Sequence, residues 1–211
     1  MISRAKELQY TLAARVVIRP FSLRRGYVAG VDAAFKSGKV IASACLLAYP
    51  GLERVEESVA VMDIDFPYVP GYLSFREAPA ITEAIGKLKT RPDMIIADGQ
   101  GIAHPRRIGL ASHLGVLLNL PTIGAAKSRL IGTSEEPGPF KGDMAYLYHD
   151  GDVIGAVLRT RDNTKPLYVS PGHLTDLESA VAIVMSCVTR YRLPEPTRCA
   201  HNQSALNKLL V

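Results

Sequence analysis

Three closely spaced segments between residues 27 and 62 place the strongest constraint on the fold. Apolar and β-branched residues dominate 27–35, 40–49 and 55–62, and the turn Ser37-Gly38-Lys39 separates the first two segments. Strands joined by so few residues pair as antiparallel neighbours. The sequence therefore predicts a three-stranded antiparallel meander.

After residue 72 the pattern changes, and helices alternate with short strands. The run 93–98 (DMIIAD) is short and apolar, which is typical of a buried parallel strand. A meander followed by such alternation favours an α/β fold: a single domain over residues 1–211, with a mixed sheet flanked by helices. The other expected elements are helices over 3–16, 75–89, 106–118, 175–191 and 202–210, and strands at 121–125, 143–149, 152–160 and 167–169.

Composition narrows the class of protein. Of 211 residues, 47% are hydrophobic and 21% are charged, which excludes disordered and low-complexity chains. No run reaches the ~18 apolar residues of a membrane span, and the start lacks the apolar core of a secretory signal, so we expect a cytoplasmic protein. Because Cys45, Cys187 and Cys199 are few and far apart, we expect buried thiols and neither a disulfide nor a zinc site.

Positive charge is concentrated in blocks. The formal net charge is +5, and residues 99–134 contain four Lys or Arg and no acid. An acid-free basic stretch is compatible with an anionic partner such as nucleic acid, although on charge alone a solvated basic face is the commoner explanation. In the first helix, Leu8, Leu12 and Val16 are expected to share the apolar face.

Two acids occupy positions that suggest chemistry. Asp32 lies inside an apolar strand, where a carboxylate is costly to bury unless it is paired or binds a metal. Asp98 ends a buried strand directly before Gly99-Gln100-Gly101, and ligands gather at the carboxyl ends of such strands. The plain alternatives are an outward-facing acid for Asp32 and a turn-forming aspartate for Asp98.

Caps are expected at three helices. Ser3 can cap the first helix, Ser74 and Glu77 form a capping box, and Thr175 opens a second box with Asp176 at the first helical position. Both Glu77 and Asp176 therefore have a structural explanation. A helix-borne acid of this kind could also join the two strand acids in binding Mg²⁺.

Three further features fit a nucleic-acid enzyme and also have ordinary explanations. The stiff loop Pro67-Tyr68-Val69-Pro70 carries an aromatic ring that could insert between bases, or pack on the core. Lys127 could steady a phosphate, or be a surface lysine. His104 could hold a phosphate or shuttle a proton, or be a loop histidine.

Taken together, these segments resemble the endonuclease V family. The resemblance runs from about residue 3 to 190, in the family's order. Its most specific parts are residues 67–77 and residues 98–106. In the first of these, Val69 stands where isoleucine is frequent in the family. The segments are Gly30-Val31-Asp32, residues 67–77 (PYVPGYLSFRE), residues 98–106 (DGQGIAHPR), Gly124-Ala125-Ala126-Lys127-Ser128 and Val169-Ser170-Pro171-Gly172-His173.

The resemblance implies a ribonuclease H-like fold and a DNA repair endonuclease specific for deoxyinosine. It implies Mg²⁺-dependent hydrolysis, with Mn²⁺ as a substitute, of the second phosphodiester bond 3′ to the deoxyinosine. The products would carry 3′-hydroxyl and 5′-phosphate ends. The expected partner is DNA that contains deoxyinosine, or RNA that contains inosine, with no membrane and with the protein as a monomer.

The resemblance also implies roles for individual residues. Asp32, Asp98 and Glu77 correspond to the metal ligands, Asp176 to a further acid near the metal, and Lys127 and His104 to phosphate or transition-state partners. Tyr68, with Pro67, Val69 and Pro70, corresponds to a wedge that fills the space beside an extruded base. The base pocket corresponds to the backbone around Gly71, Tyr72, Leu73, Gly99 and Gly109.

Other functions remain open from the sequence alone. A ribonuclease for inosine-containing RNA, or another ribonuclease H-like nuclease, would use the same acids. A non-catalytic nucleic-acid binder is a third possibility, against which the presence of Asp32, Glu77 and Asp98 together argues. A phosphate-handling α/β enzyme would use the Gly99–Gly101 loop and would have no need for Tyr68.

Overall fold

The β-rich start of the chain forms the predicted meander. In the computed structural model, which describes residues 2–209, β1 (Gly26–Lys36), β2 (Lys39–Tyr49) and β3 (Arg54–Asp63) follow one another. β1 pairs antiparallel with β2, and β2 pairs antiparallel with β3. The three strands are longer than most, and nearly all of β2 is buried.

The rest of the sheet extends from the other edge of β1. There β4 (Met94–Ala97) pairs parallel with β1, and β5 (Thr122–Ala126) pairs parallel with β4. The strands β6 (Met144–His149), β7 (Asp152–Leu158) and β8 (Leu167–His173) complete it, with β8 antiparallel to both β5 and β7. The eight strands lie in the order β3-β2-β1-β4-β5-β8-β7-β6, which confirms the expected mixed α/β sheet.

Helices cover both faces of the sheet. On one face, α2 (Leu73–Gly86) and α3 (Leu110–Leu118) bury side chains such as Ile81 and Leu114 against β1, β2 and β4. On the other face, α4 (Leu177–Ser186) packs near β8, and α5 (Glu195–Lys208) lies across β1 and β2. The first helix, α1 (Ile2–Ala13), packs against α3. None of the helices within residues 2–209 has the length and apolar character needed to cross a membrane.

Several predicted boundaries are wrong because tertiary contacts override the local pattern. The helix expected from 106 begins at Leu110, since Arg107 has a left-handed φ of 56° and the Gly109 amide donates to the Gly101 carbonyl. The strand expected at 167–169 continues to His173, and its proline lies opposite a break in the register with β5.

The last two helices also differ from expectation. α4 ends at Ser186 instead of 191, and α5 begins at Glu195 instead of 202, with a proline in its first turn. The predicted end of the last helix at residue 210 lies outside the described residues. At the other end of the chain, Ser3 lies inside α1 and is not its cap.

The cysteines correct one prediction. Cys45 of β2 and Cys199 of α5 form a disulfide, although 154 residues separate them. The expectation of free thiols is wrong for this pair, because α5 packs on β2 and brings the two Cα atoms to 5.9 Å. Cys187 is the expected buried thiol, and burial raises its pKa to about 12.

Candidate active site

A cleft opens where β4 and β5 end, beside the middle of β1. It encloses a cavity of about 410 Å³. Parallel strands bring their carboxyl ends to one edge of a sheet, which is why residues following β4 and β5 meet there. Most predicted site residues line it: Asp32, Tyr68, Val69, Pro70, Gly71, Leu73, Glu77, Asp98, Gly99, His104, Gly109 and Lys127.

Two carboxylates from adjacent strands face each other in this cleft. Asp32 of β1 is 9% exposed, and one of its oxygens accepts hydrogen bonds from Ser204 Oγ at 2.5 Å and from the ring of His201 at 3.1 Å. Asp98 follows β4 and forms an ion pair with Lys127. One ligand atom from each of Asp32, Asp98 and His201 lies within 4.8 Å of the others, so the three side chains could share one metal ion.

Glu77 supplies a third carboxylate from the first turns of α2. The predicted capping box is wrong: the N-cap is Tyr72 without a side-chain bond, and Ser74 Oγ lies 3.0 Å from His113 Nδ1. Glu77 is instead buried in the cleft and 7% exposed. Burial, reinforced by the negative charges of Asp32 and Asp98, raises the pKa of Glu77 to about 8.

Basic side chains lie beside the three acids of the cleft. Burial raises the pKa of Asp98 above its usual value, although the hydrogen bond and charge of Lys127 oppose that shift. The Lys127 ammonium lies 3.4 Å from His201 Nδ1, and Arg129 also lines the cleft. Raised carboxyl pKa values and crowded oxygen ligands are what a site for a hard divalent cation shows without its ion.

Helix α5 reaches the acids because β1 lets it approach closely. A Cβ atom on Gly30 would lie 1.9 Å from the backbone of Pro196, so only glycine permits this packing. Ser43 Oγ of β2 also donates to the Ala200 carbonyl at 2.6 Å. These contacts place His201 and Ser204 against Asp32, on the face of β1 that carries Asp32.

The loop between β3 and α2 forms the opposite wall of the cleft. We call residues 66–72 the wedge loop. Its base is packed, since the Phe66 ring stacks on Phe75 at 5.3 Å, whereas the side chain of Tyr68 is 72% exposed at its tip. The Arg76 guanidinium lies 5.6 Å from the centre of the Tyr68 ring and 4.6 Å from that of Phe35. An exposed aromatic ring on an anchored loop can contact a base.

Three predicted site residues lie elsewhere. The structure does not bring Asp176 to the acids. Asp176 is the N-cap of α4, and its side chain accepts a hydrogen bond from Ser179 N at 2.8 Å. It lies near the amino end of β5, whereas Asp98 lies at the carboxyl ends of the parallel strands. Pro67 is in the wedge loop but does not line the cavity, and Tyr72 is buried behind it.

Sequence reasoning missed the α5 contribution. His201 and Ser204 lie 169 and 172 residues from Asp32, in a polar helix with no motif around them. A glycine inside a strand, Gly30, is a local sign that another part of the backbone approaches closely. It does not tell which helix covers β1. Gln100, Ser128 and Leu130 also line the cavity without having been predicted as site residues.

Comparisons with known proteins agree with this geometry. A sequence model of the family described as Endonuclease V matches residues 10–202. The chain is 50% identical over 199 residues to a curated protein, Endonuclease V of Roseiflexus sp. (strain RS-1), and the match covers 94% of this chain and 90% of that one.

Solved structures show the same relationship. The chain is similar to Endonuclease V of Streptomyces avermitilis, with a TM-score of 0.94, 41% identity, and coverage of 100% of this chain and 95% of that one. It is also similar to Ciona intestinalis Endonuclease V, whose crystal structure is a complex with a 24mer DNA containing an inosine followed by a ribo-adenosine. There the TM-score is 0.83 at 29% identity, over 99% of this chain and 98% of that one. The chain therefore belongs to the endonuclease V family of nucleases.

Proposed function

We propose that the protein is a Mg²⁺-dependent DNA repair endonuclease that recognises deoxyinosine. It hydrolyses the second phosphodiester bond on the 3′ side of this deaminated deoxyadenosine and leaves 3′-hydroxyl and 5′-phosphate ends. The observation that carries the proposal is the convergence of Asp32, Glu77 and Asp98 in one cleft beside the exposed ring of Tyr68. The inosine-containing DNA bound by the Ciona relative supports the choice of substrate.

The donor set of the cleft fits a hard divalent cation. Asp32 and Asp98 would hold Mg²⁺ or Mn²⁺, with Glu77 as the third acid and His201 beside them, because carboxylate oxygens are the ligands that Mg²⁺ prefers. Burial first, and then the negative charges of Asp32 and Asp98, raise the pKa of Glu77, and a bound cation would favour its ionised form. When bound, the ion would lower the pKa of an attacking water and stabilise the leaving oxygen.

The protein's own side chains account for the rest of the reaction. Products with a 3′-hydroxyl and a 5′-phosphate require water to add to phosphorus while the P–O3′ bond breaks, and O3′ leaves with a proton. Lys127 and Arg129 line the cleft and belong to residues 99–134, a stretch without acids. Their positive charges would face the phosphate. Ser204 and His201 hold Asp32 in a fixed orientation by hydrogen bonds to the same oxygen.

Recognition of the base falls to the wall formed by the wedge loop. Tyr68 would occupy the space beside an extruded base, supported by the Arg76 guanidinium. The backbone around Gly71, Leu73, Gly99 and Gly109 lines the cavity and would form the base pocket. Hypoxanthine differs from adenine by a 6-oxo group and an N1–H, which peptide groups can distinguish.

One assay separates this function from its alternatives. Matched oligonucleotides that contain deoxyinosine in DNA, or inosine in RNA, are incubated with the protein in Mg²⁺ or in EDTA, and the products are mapped to the nucleotide. We expect a Mg²⁺-dependent nick after the first nucleotide 3′ to deoxyinosine. Preferential cutting of the RNA strand would favour the inosine-specific ribonuclease, and equal cutting of undamaged strands would favour another ribonuclease H-like nuclease.

Two controls make the assay decisive. The Asp32→Ala variant should bind the deoxyinosine strand without cutting it, which excludes a contaminating nuclease. Binding without any Mg²⁺-dependent nick by the wild-type protein would support a non-catalytic binder and contradict the proposal.

A monomeric state and a cytoplasmic location remain predictions from the sequence, to be checked by sedimentation and by cell fractionation.

A further inference from the structure

Near the end of the wedge loop, one backbone carbonyl group forms hydrogen bonds with three side chains. The Gly71 oxygen accepts hydrogen bonds from Gln9 Nε2 at 2.9 Å, from Arg106 Nη2 at 2.8 Å and from His104 Nε2 at 3.0 Å. A carbonyl oxygen has two lone pairs, so three donors saturate it. Gly71 has a φ of +79°, a backbone conformation that residues other than glycine rarely adopt.

The histidine of this group is a fixed donor. The Arg106 amide donates to His104 Nδ1 at 3.1 Å, so the neutral ring carries its proton on Nε2, which faces Gly71. Burial lowers the pKa of His104 to about 4, with the nearby Arg106 charge contributing. Both ring nitrogens are therefore occupied within the protein, which differs from the phosphate contact expected from the sequence.

Gln9 is the unexpected member of the group. It lies on the buried side of α1 with Ala5 and Leu12, and it is 0% exposed, whereas the expected apolar residue Leu8 is 44% exposed. A buried amide is costly unless both of its ends are bonded. Its Nε2 donates to Gly71, and its Oε1 accepts from Arg106 Nε, so both ends are used inside this group.

We infer that Gln9 is a positioning residue that fixes the Gly71 peptide, and with it the wedge loop, for recognition of the extruded base. This inference rests on the proposed function. Glutamine suits the role because the site needs one donor, toward Gly71, and one acceptor, toward Arg106. The acids of the cleft are not among its hydrogen-bond partners, so its effect should fall on substrate binding and not on the chemical step.

The test compares two substitutions of similar volume. Gln9→Met removes both hydrogen bonds, and Gln9→Glu keeps the acceptor toward Arg106 but cannot donate to Gly71. With a deoxyinosine oligonucleotide, we expect KM to rise about five- to tenfold for Gln9→Met, as for loss of one or two buried hydrogen bonds, and kcat to stay within about twofold. Preference for deoxyinosine over deoxyadenosine strands should fall by a similar factor, and Gln9→Glu, which sets a carboxylate oxygen against the Gly71 oxygen, should show at least as large a fall.

The matched control is Leu12→Ala, one turn further along the same helix. Leu12 packs with Ile108 and Val116 and takes no part in the Gly71 group, so this variant should lower the melting temperature and leave KM unchanged. An unchanged KM and preference in both Gln9 variants, or an equal rise of KM in Leu12→Ala, would overturn the inference. Failure of the wild-type protein to cut deoxyinosine DNA is a different result and would contradict the proposed function instead.

Discussion

The two walls of the cleft satisfy their polar groups in opposite ways. On the acid wall, Asp32, Glu77 and Asp98 crowd together, and burial with mutual repulsion raises the pKa of Glu77 to about 8. On the loop wall, Gln9 and its partners saturate a single carbonyl, and burial keeps His104 neutral by lowering its pKa to about 4. The acid wall brings together side chains that could hold a cation, whereas the polar groups of the loop wall already bond to one another.

This contrast separates chemistry from recognition. Crowded, buried carboxylates lower the stability of the folded protein when no cation is bound, and cation binding restores it. Catalytic metal sites behave in this way. A saturated hydrogen-bond group keeps one geometry and so prepares the loop for the base. Changes on the acid wall should therefore act on kcat and on metal dependence, and changes on the loop wall should act on binding and preference.

The strongest test removes one strand acid. We expect Asp32→Ala or Asp98→Ala to lower the cleavage rate by about three orders of magnitude or more, because the charge stabilisation supplied by a bound ion is worth several kcal/mol. Binding, measured by gel shift, should be largely kept. The control is Asp63→Ala, an exposed acid whose ion pair with Lys39 contributes little. Near-normal cleavage by either cleft variant would mean that the metal site lies elsewhere.

A second test concerns the α5 contribution to the acid wall. His201→Ala should lower the rate about 10- to 100-fold and shift the Mg²⁺ concentration needed for half-maximal rate upward, as for loss of a ligand or of a residue that orients one. Asn202→Ala, the next residue along α5, lines a separate depression beside Cys199 and serves as the control. An unchanged Mg²⁺ dependence in His201→Ala would show that α5 does not serve the metal.

The third test measures, through stability, the cost of burying the negative charge of Glu77, which comes mainly from lost solvation and partly from Asp32 and Asp98. In the folded protein Glu77 holds its proton up to about pH 8, whereas in the unfolded chain it loses it near 4.5. The free energy of unfolding of the metal-free protein should therefore fall, through this group, as pH rises from 4.5 to 8. Glu77→Gln should remove that loss and be more stable at pH 8 in EDTA, by on the order of 2 kcal/mol, while lacking activity.

The comparison at low pH completes that test. Near pH 4.5 Glu77 is protonated in both states, so the variant and wild type should have the same stability apart from the amide itself. Added Mg²⁺ should raise the melting temperature of wild type more than that of Glu77→Gln. Equal pH profiles for the two proteins would show that the charge of Glu77 does not destabilise the folded protein.

The smallest effect is expected on the loop wall. Tyr68→Ala should reduce the preference for deoxyinosine over undamaged strands about tenfold, which is the order of one base–aromatic contact, and should hardly change kcat. Tyr146→Ala removes another exposed ring, 49% exposed on the edge strand β6, and should have no such effect. A preference unchanged in Tyr68→Ala would reject the wedge role, and a large fall of kcat would erase the separation of the two walls.

Much of the cleft was visible in the sequence because its signals are local. Apolar alternation marks β1 to β3, and a buried apolar run ending in an acid marks β4 and Asp98. The prolines around Tyr68 mark a stiff loop, whereas the local pattern around Glu77 indicated a capping box that the structure does not contain. Periodicity, strand ends and turn residues are properties of neighbouring positions, so they indicated the elements and single candidate residues. The grouping of these residues into one site was implied by the resemblance to the endonuclease V family.

Only the tertiary structure decided which distant residues join them. Gln9 directly follows Leu8 in the sequence with nothing to distinguish it, and His201 lies in a helix without a motif, yet both form hydrogen bonds with residues that line the cleft. The Cys45–Cys199 disulfide and the placement of Asp176 away from the acids were equally hidden. The reason is that the face of the sheet on which a helix packs depends on close approach and on the whole order of strands, which no short segment of the chain records.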